Sequence, residues 1–222
     1  MNAFSYIFIE LYIIASSLNL YFCYIEDEKK RKLSKPFCLF FLSLFALVTS
    51  FNSPLIYIAT FTALIGDLLM LKKKNNIFFV LGGFTFGASH LLFLSQGILL
   101  LKSVLNLDYS YFLIGLGIYL LLTAISFPLC KKYFKEVGIF ASFYLSFLII
   151  EFVFGIFLAI YLTPSWCGIL YSIGYLFFFI SDLLIFYFKK VKDVKRRDFP
   201  IMTTYLIAIL LVVLSLIFPL IY

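Results

Sequence analysis

Long apolar runs recur along the whole chain, and short polar links separate them. Each run is close to the ~20 residues that an α-helix needs to cross the ~30 Å hydrocarbon layer of a bilayer. Because the links are short, the pattern predicts an all-α, polytopic eight-helix transmembrane bundle that forms a single domain over residues 1–222. The predicted spans cover residues 3–25, 36–52, 54–71, 77–100, 109–130, 137–162, 165–188 and 199–221.

Prolines mark several of the predicted helix ends. Proline fits the first turn of a helix, where the N–H that it lacks would have no partner within the helix. We therefore expect Pro36, Pro54 and Pro200 to open the second, third and eighth helices. Pro164 is expected to precede the seventh helix.

The composition excludes an ordinary soluble domain, since 64% of the residues are hydrophobic and only 13% are charged. The 30 phenylalanines and 16 tyrosines predict a core that is packed largely by aromatic rings. The cysteines lie within or beside apolar runs and form no Cys-x-x-Cys pair, so they are predicted to be small core residues rather than ligands or disulfide partners. They are Cys23, Cys38, Cys130 and Cys167.

The basic residues are distributed asymmetrically along a chain whose formal net charge is +7. All of the 18 lysines and arginines except Lys102 lie in the links after the first, third, fifth and seventh spans. Positively charged links stay in the cytoplasm, so both termini are predicted to be non-cytoplasmic, in a multi-pass protein of the cell (plasma) membrane. We expect these links to contact anionic membrane lipids, and we predict no nucleic-acid partner.

One short pattern occurs twice. Gly66-Asp67 and Ser181-Asp182 are each followed by two leucines, and a lysine cluster comes shortly after. The two copies lie four predicted spans apart, near the inner ends of spans that run in the same direction. The pattern therefore favours a parallel 4+4 internal repeat of two four-helix halves.

The two repeated aspartates are candidates for chemistry. An ionisable residue within a membrane-spanning helix costs several kcal/mol unless it faces protein, water or a partner. The alternative, that each carboxylate reaches water or the lysines after it, conflicts with the short aspartate side chain and with the negative end of the helix dipole. Two buried carboxyl groups can instead share one proton and act as acid and base. We therefore predict that Asp67 and Asp182 are catalytic, in a hydrolytic arrangement.

Few other ionisable residues lie inside the predicted spans. Gly83, Gly87 and His90 share one helical face, where small residues would let a neighbouring helix come close. His90 is the only histidine, which excludes a three-histidine zinc site, and we predict neither a metal nor another cofactor. For His90 a hydrogen-bonded core role and a role in the site are equally open. Glu151 must be neutral or paired at its depth, whereas Glu10 can reach the outer surface.

Several motifs, in this order along nearly the whole chain, resemble those of a known family. They are Ser34-Lys35-Pro36, Gly66-Asp67, Phe84 through Gly87 to His90, Gly174 with Phe177, Ser181-Asp182 and Thr204-Tyr205. The chain thereby resembles the lysoplasmalogenase (YhhN-type) family of eight-span membrane proteins. Ala208-Ile209 stands where the family tends to have glutamine, and Glu151 stands where it usually has methionine. These departures bear on the substrate more than on the reaction type.

The resemblance implies hydrolysis of the vinyl ether bond of a lysophospholipid, a lysoplasmalogen, to a fatty aldehyde and a glycerophospho-alcohol. This reaction needs a proton delivered to carbon and water attack on the resulting oxocarbenium ion, which a carboxylate would stabilise. Asp67 and Asp182 are expected to fill these roles. The supporting residues are expected to be His90, Tyr205, Ser181 and Glu151, with Lys35 and Lys72 near the phosphate of the substrate.

Two other functions are consistent with the same aspartates. An ion- or proton-coupled small-molecule transporter would use the pair to bind a cation or relay protons. Carriers often hold such groups near the bilayer midplane between inverted repeats, whereas these lie near one surface in a parallel repeat, which favours the enzyme. A non-catalytic scaffold would use the carboxylates only to bridge helices. The residues do not specify which ether or lysolipid is cleaved.

Overall fold

The computed structural model describes residues 3–71, 76–105, 108–134, 138–191 and 194–221. Within these residues the chain folds into eight α-helices and contains no strand. The helices are α1 (Ala3–Tyr24), α2 (Glu28–Thr49), α3 (Pro54–Met70), α4 (Asn76–Lys102), α5 (Tyr109–Phe134), α6 (Gly138–Tyr161), α7 (Trp166–Lys190) and α8 (Asp198–Ile221).

The predicted all-α, eight-helix architecture is confirmed. Within the described residues, seven helices are long and apolar enough to cross a membrane, as expected of an integral membrane protein. The exception is α3, whose 17 residues are also apolar. At the ~1.5 Å rise of an α-helix, α3 is about 26 Å long, slightly less than the hydrocarbon thickness. The orientation of the termini and the internal repeat stay predictions.

Helix α2 differs from its prediction because it begins at Glu28, and Pro36 lies inside it. The expectation that Pro36 opens this helix is therefore wrong, whereas Pro54 does lie at the start of α3. The side chain of Asp27 caps α2 by accepting a hydrogen bond from the backbone N–H of Lys30 at 3.1 Å. This bond lowers the pKa of the Asp27 carboxyl group. Hydropathy locates the end of an apolar run, but a helix can continue beyond it into charged sequence.

Helix α8 lies at the centre of the bundle, where it contacts α1, α2, α3, α4 and α7. Neighbouring helices pack in the order α1, α2, α3, α4, α6 and α7, and α7 packs against α8. Helix α5 packs against α6 at the edge of the bundle. Because of this arrangement, one end of α8 meets the ends of several other helices at a single place.

Aromatic rings fill much of the core, as the composition predicts. Tyr171, Tyr175, Phe45 and Phe93 are among the largest side chains that are fully buried. All four cysteines are buried and free, which confirms that they are small core residues. The tyrosines in this set also place hydroxyl groups deep in the bundle.

The two glycines that share a face with His90 behave differently. A Cβ atom on Gly83 would come within 2.7 Å of the Phe140 ring, so Gly83 lets α6 approach α4 closely. Among the described residues, no atom of another part of the fold comes within 4 Å of a Cβ atom placed on Gly87. The predicted close approach therefore holds at Gly83 and is wrong at Gly87.

Candidate active site

A small cavity lies where six helices bring their ends together. These are the beginnings of α2, α4, α6 and α8 and the ends of α3 and α7. The cavity has a volume of about 70 Å³. By the same measure a water molecule needs roughly 10–15 Å³, so several waters fit. Its polar lining consists of Lys35, Asp67, Tyr144, Ser181, Asp182 and Tyr205.

Asp67 lies near the end of α3 and is almost fully buried. Its Oδ1 atom is 2.6 Å from Nζ of Lys35, which comes from α2. The hydroxyl group of Tyr205, on α8, donates a hydrogen bond to the other carboxylate oxygen at 3.1 Å. Three helices therefore hold this carboxylate, and the ammonium group of Lys35 compensates its charge.

The position of Asp67 depends on the glycine that precedes it. A Cβ atom on Gly66 would come within 2.8 Å of Oγ1 of Thr85 and 3.0 Å of the Phe86 ring, both on α4. The glycine thus lets α3 and α4 pack closely beside the cavity. This packing places the carboxylate of Asp67 at the cavity wall instead of at the lipid surface.

Asp182, on α7, has a different environment. None of the described residues forms a hydrogen bond with its enclosed Oδ2 atom. The hydroxyl group of Tyr144, on α6, lies beside the same carboxyl group. The neighbouring Ser181 donates a hydrogen bond to the backbone carbonyl of Ile201 at 3.2 Å and so ties α7 to α8. Asp182 therefore lines the cavity, and in contrast to Asp67 it forms no ion pair with a lysine or arginine of the described residues.

His90 lies behind the cavity wall instead of lining it. Its ring is buried between Tyr175 and Tyr144, with one ring nitrogen 3.3 Å from each hydroxyl oxygen. Phe178 packs edge-on against the imidazole ring, with the ring centroids 4.8 Å apart. His90 is therefore a hydrogen-bonded core residue that contacts a residue of the cavity, and its role in the site stays a prediction.

Glu151 is also absent from the cavity lining. It is fully buried in α6 and accepts a hydrogen bond from the hydroxyl group of Tyr171 on α7, at 2.5 Å. Within the part of the chain that the structure describes, its other oxygen, Oε1, has no hydrogen-bond partner. Glu10 is exposed on α1, as expected for a residue that reaches the outer surface.

The structure thus brings five of the sequence-predicted site residues to one cavity and leaves two outside it. Those at the cavity are Lys35, Asp67, Ser181, Asp182 and Tyr205. His90 and Glu151 lie deeper in the bundle, and Lys72 lies outside the described residues. Within the described residues, no three side chains of His, Cys, Asp or Glu come together as a metal-binding group.

Sequence reasoning did not identify Tyr144, which lines the cavity beside Asp182 and contacts His90. Phe140, one helical turn earlier, also lines the cavity, and the two rings stack with their centroids 5.9 Å apart. The i, i+4 spacing of these aromatic residues on α6 was an available signal. It was weak, because a chain with 30 phenylalanines and 16 tyrosines contains many such pairs.

The cavity combines a carboxylate that is paired with a lysine, a second carboxyl group that has no cation partner among the described residues, and an aromatic wall. Two carboxyl groups in unlike surroundings can take the roles of acid and base in one reaction. The aromatic lining, which includes Phe86, Phe140 and Phe178, suits an apolar chain or a developing cation. These features suit acid–base chemistry beside an apolar group.

Comparison with known families bears on this site. The model of the YhhN family matches residues 30–216. The chain belongs to the YhhN family. The resemblance drawn from the ordered motifs is therefore confirmed, and the YhhN match spans every residue that lines the cavity, from Lys35 to Tyr205. No curated protein and no solved structure matches the chain.

Proposed function

We propose that this protein is a membrane-embedded ether hydrolase that cleaves the vinyl ether bond of lysoplasmalogen-like lysolipids. The observation that carries the proposal is that Asp67 and Asp182 line one cavity in unlike electrostatic surroundings. Membership of the YhhN family supports the same conclusion. We further propose that the protein lies in the cell membrane, with this cavity toward the cytoplasmic leaflet, because the basic links lie at that end of the bundle.

The two aspartates are proposed to have separate roles. Asp182 has no cation partner among the described residues and acts as the acid, adding a proton to the vinyl ether carbon that is farther from the ether oxygen. The carbon that is bonded to the ether oxygen then carries the positive charge, which it shares with that oxygen as an oxocarbenium ion. Asp67, which is paired with Lys35, faces this cation across the cavity and stabilises it electrostatically.

Water completes the proposed reaction. The cavity has room for several water molecules, and the Asp67 carboxylate can accept a proton from one of them as it attacks the oxocarbenium carbon. The hemiacetal that results breaks down to a fatty aldehyde and the glycerophospho-alcohol. The hydrogen bond from Tyr205 holds Oδ2 of Asp67 in one orientation during this step.

Lys35 has a larger proposed role than the sequence suggested. Its ammonium group has three N–H donors, of which the ion pair with Asp67 uses at least one. Its side chain is 15% exposed, so the remaining donors can meet the phosphate of a lysolipid at the cavity mouth. Lys72 follows the end of α3 in sequence and is proposed to act with it.

An ion- or proton-coupled transporter is the second candidate. One observation favours it: the carboxyl group of Glu151 is fully enclosed and lies away from the cavity. A transporter can use an intramembrane carboxyl group of this kind to relay protons. Such a carrier would move a solute across sealed vesicles and would release no aldehyde. Measurement of both quantities on the same reconstituted protein separates the two functions.

The decisive experiment is aldehyde release by purified protein in nanodiscs. Wild-type protein is expected to cleave a lysoplasmalogen and to leave the corresponding acyl lysophospholipid intact. Asp67→Asn and Asp182→Asn are each expected to lower kcat by about 10²–10⁴-fold, the usual contribution of a positioned acid or base.

Glu10→Gln is the matched control, since Glu10 is an exposed carboxyl residue on α1. It is expected to keep wild-type turnover. Full turnover by both aspartate variants, in protein that is folded, would refute the proposed mechanism.

A further inference from the structure

A series of buried polar side chains connects Glu151 with the cavity. At the end of this series that is farthest from the cavity, the hydroxyl group of Tyr171 donates a hydrogen bond to Oε2 of Glu151 at 2.5 Å. Tyr171 and Tyr175 lie one turn apart on α7, and their ring centroids are 4.8 Å apart, so their hydroxyl groups are near each other. Each of these three residues is fully buried.

The series continues through the histidine to the cavity. The Tyr175 hydroxyl oxygen is 3.3 Å from Nδ1 of His90, and Nε2 of His90 is 3.3 Å from the hydroxyl oxygen of Tyr144. Tyr144 lines the cavity, where its hydroxyl group lies beside the carboxyl group of Asp182. We call the four rings between the two carboxyl groups the relay. The relay consists of Tyr171, Tyr175, His90 and Tyr144.

Glu151 has the surroundings of a group that holds a proton. It is 0% exposed, and no lysine or arginine in the described part of the chain forms an ion pair with it. Its Oε1 atom has no hydrogen-bond partner among the described residues. An ionised carboxylate in this place would be uncompensated in an apolar interior, whereas the neutral acid is tolerated.

We propose that Glu151 is a proton store for the cavity and exchanges its proton with Asp182 through the relay. This inference rests on the proposed function only in giving Asp182 the role of acid. Each hydroxyl group in the relay can accept one proton and pass on its own, and the imidazole can accept at one nitrogen and release from the other. For each proton that leaves Glu151, one arrives at Asp182, and no other group changes its charge. Because the ionised form of Glu151 is costly in this place, it is only a short-lived state that ends when the proton is replaced.

The same path works in reverse. As arranged in the structure, the hydroxyl group of Tyr171 donates to Glu151, which is the orientation that passes a proton toward the store. Rotation of the hydroxyl groups reverses the direction. Glu151 would therefore take up a proton from the cavity between turnovers. It would return this proton to Asp182 after Asp182 has given its own proton to the substrate.

The test is hydrogen–deuterium exchange of the Glu151 carboxyl group, followed by infrared spectroscopy of the full-length protein in nanodiscs. The C=O stretch of a protonated carboxyl group shifts when its proton is replaced by deuterium. Glu151→Gln assigns the band, because the band must be absent from this variant. If wild-type protein and Glu151→Gln have the same spectrum in this region, Glu151 holds no proton and the proposal is wrong.

Tyr175→Phe interrupts the relay while keeping the ring that packs in the core. Because Glu151 is fully enclosed, the proposal predicts that this variant exchanges the Glu151 proton at least about tenfold more slowly than wild type. Tyr171→Phe is predicted to have the same effect, which provides a second variant if Tyr175→Phe does not fold.

Tyr119→Phe is the matched control. The Tyr119 hydroxyl group bonds to the backbone carbonyl of Phe143 at the α5–α6 contact and is not part of the relay. Wild-type exchange is expected in this variant. Equal exchange rates in Tyr175→Phe and wild type, or equal slowing in the Tyr119→Phe control, would overturn the relay. An absence of aldehyde release from wild-type protein would overturn the hydrolase proposal alone, because the exchange measurement needs no substrate.

Discussion

The ammonium group of Lys35 lies 2.6 Å from Oδ1 of Asp67, and only 15% and 2% of the two side chains are exposed. This buried ion pair joins the beginning of α2 to the end of α3 at the wall of the cavity. It compensates the charge of one cavity aspartate, whereas the described residues provide no cation for the other. The difference between the two aspartates therefore originates in a residue outside both repeated motifs.

The ion pair predicts a large stability cost for the loss of one partner. Lys35→Met is expected to lower the free energy of unfolding by about 3–5 kcal/mol, because it leaves Asp67 charged and buried. The double variant Lys35→Met/Asp67→Asn is expected to recover much of this loss. Denaturant unfolding in detergent and a double-mutant cycle measure both effects.

Lys32→Met is the control for this prediction. Lys32 pairs with Glu28 at 2.7 Å, one turn apart on α2, but the two side chains are 40% and 61% exposed. An exposed helical pair of this kind contributes only about 0.3–0.5 kcal/mol. If Lys35→Met cost no more than Lys32→Met, the proposed compensation of Asp67 would be wrong.

Tyr205→Phe is expected to impair turnover without loss of the fold. The variant removes the hydrogen bond to Oδ2 of Asp67, while the ring remains edge-on against Phe86. A hydrogen bond to a charged group contributes about 1.5–3 kcal/mol, so kcat is expected to fall about ten- to hundredfold. Steady-state kinetics with a lysoplasmalogen measure this change, and an unaltered kcat would remove Tyr205 from the proposed mechanism.

The contact between α6 and α7 is predicted to depend on Gly155. A Cβ atom at this position would come within 2.6 Å of the backbone nitrogen of Ser172, which a small side-chain movement cannot relieve. Gly155→Ala is therefore expected to destabilise the protein by about 1–3 kcal/mol. It should also disturb the bond between Glu151 and Tyr171, which crosses the same contact.

Gly87→Ala provides the comparison for Gly155→Ala in thermal unfolding. Among the described residues, nothing outside the local helix lies within 4 Å of a Cβ atom at Gly87. Alanine is the better helix former by roughly 0.5–1 kcal/mol, so this variant is expected to be neutral or more stable. Equal destabilisation by the two substitutions would contradict the close α6–α7 packing.

The proposed chemistry makes a prediction about isotope labelling. Hydrolysis in D₂O is expected to place one deuterium on the carbon next to the aldehyde carbon, since the acid adds its proton there. A saturated alkyl ether lysolipid cannot form the same oxocarbenium ion by protonation and is expected to be left intact. Mass spectrometry of the trapped aldehyde tests the first point, and an unlabelled product would exclude protonation at carbon.

The sequence by itself determined the eight helices and the candidate aspartates. The thickness of a bilayer restricts a spanning helix to a narrow range of lengths, so each apolar run predicted one helix. The cost of a charge in the membrane made Asp67 and Asp182 conspicuous in the sequence. The one boundary that was clearly wrong was the start of α2, where the helix continues into the charged segment before Pro36.

Only the tertiary structure decided which polar residues meet. In a chain with so many aromatic and aliphatic residues, most helical faces are apolar, and sequence periodicity does not reveal which face turns inward. Packing set the rotation of each helix, which paired Lys35 with Asp67 and left Asp182 with no cation partner in the part of the chain that the structure describes. The same packing moved His90 and Glu151 behind the cavity wall and placed Tyr144 between His90 and Asp182. These contacts join residues that are far apart in the chain, so no local pattern encodes them.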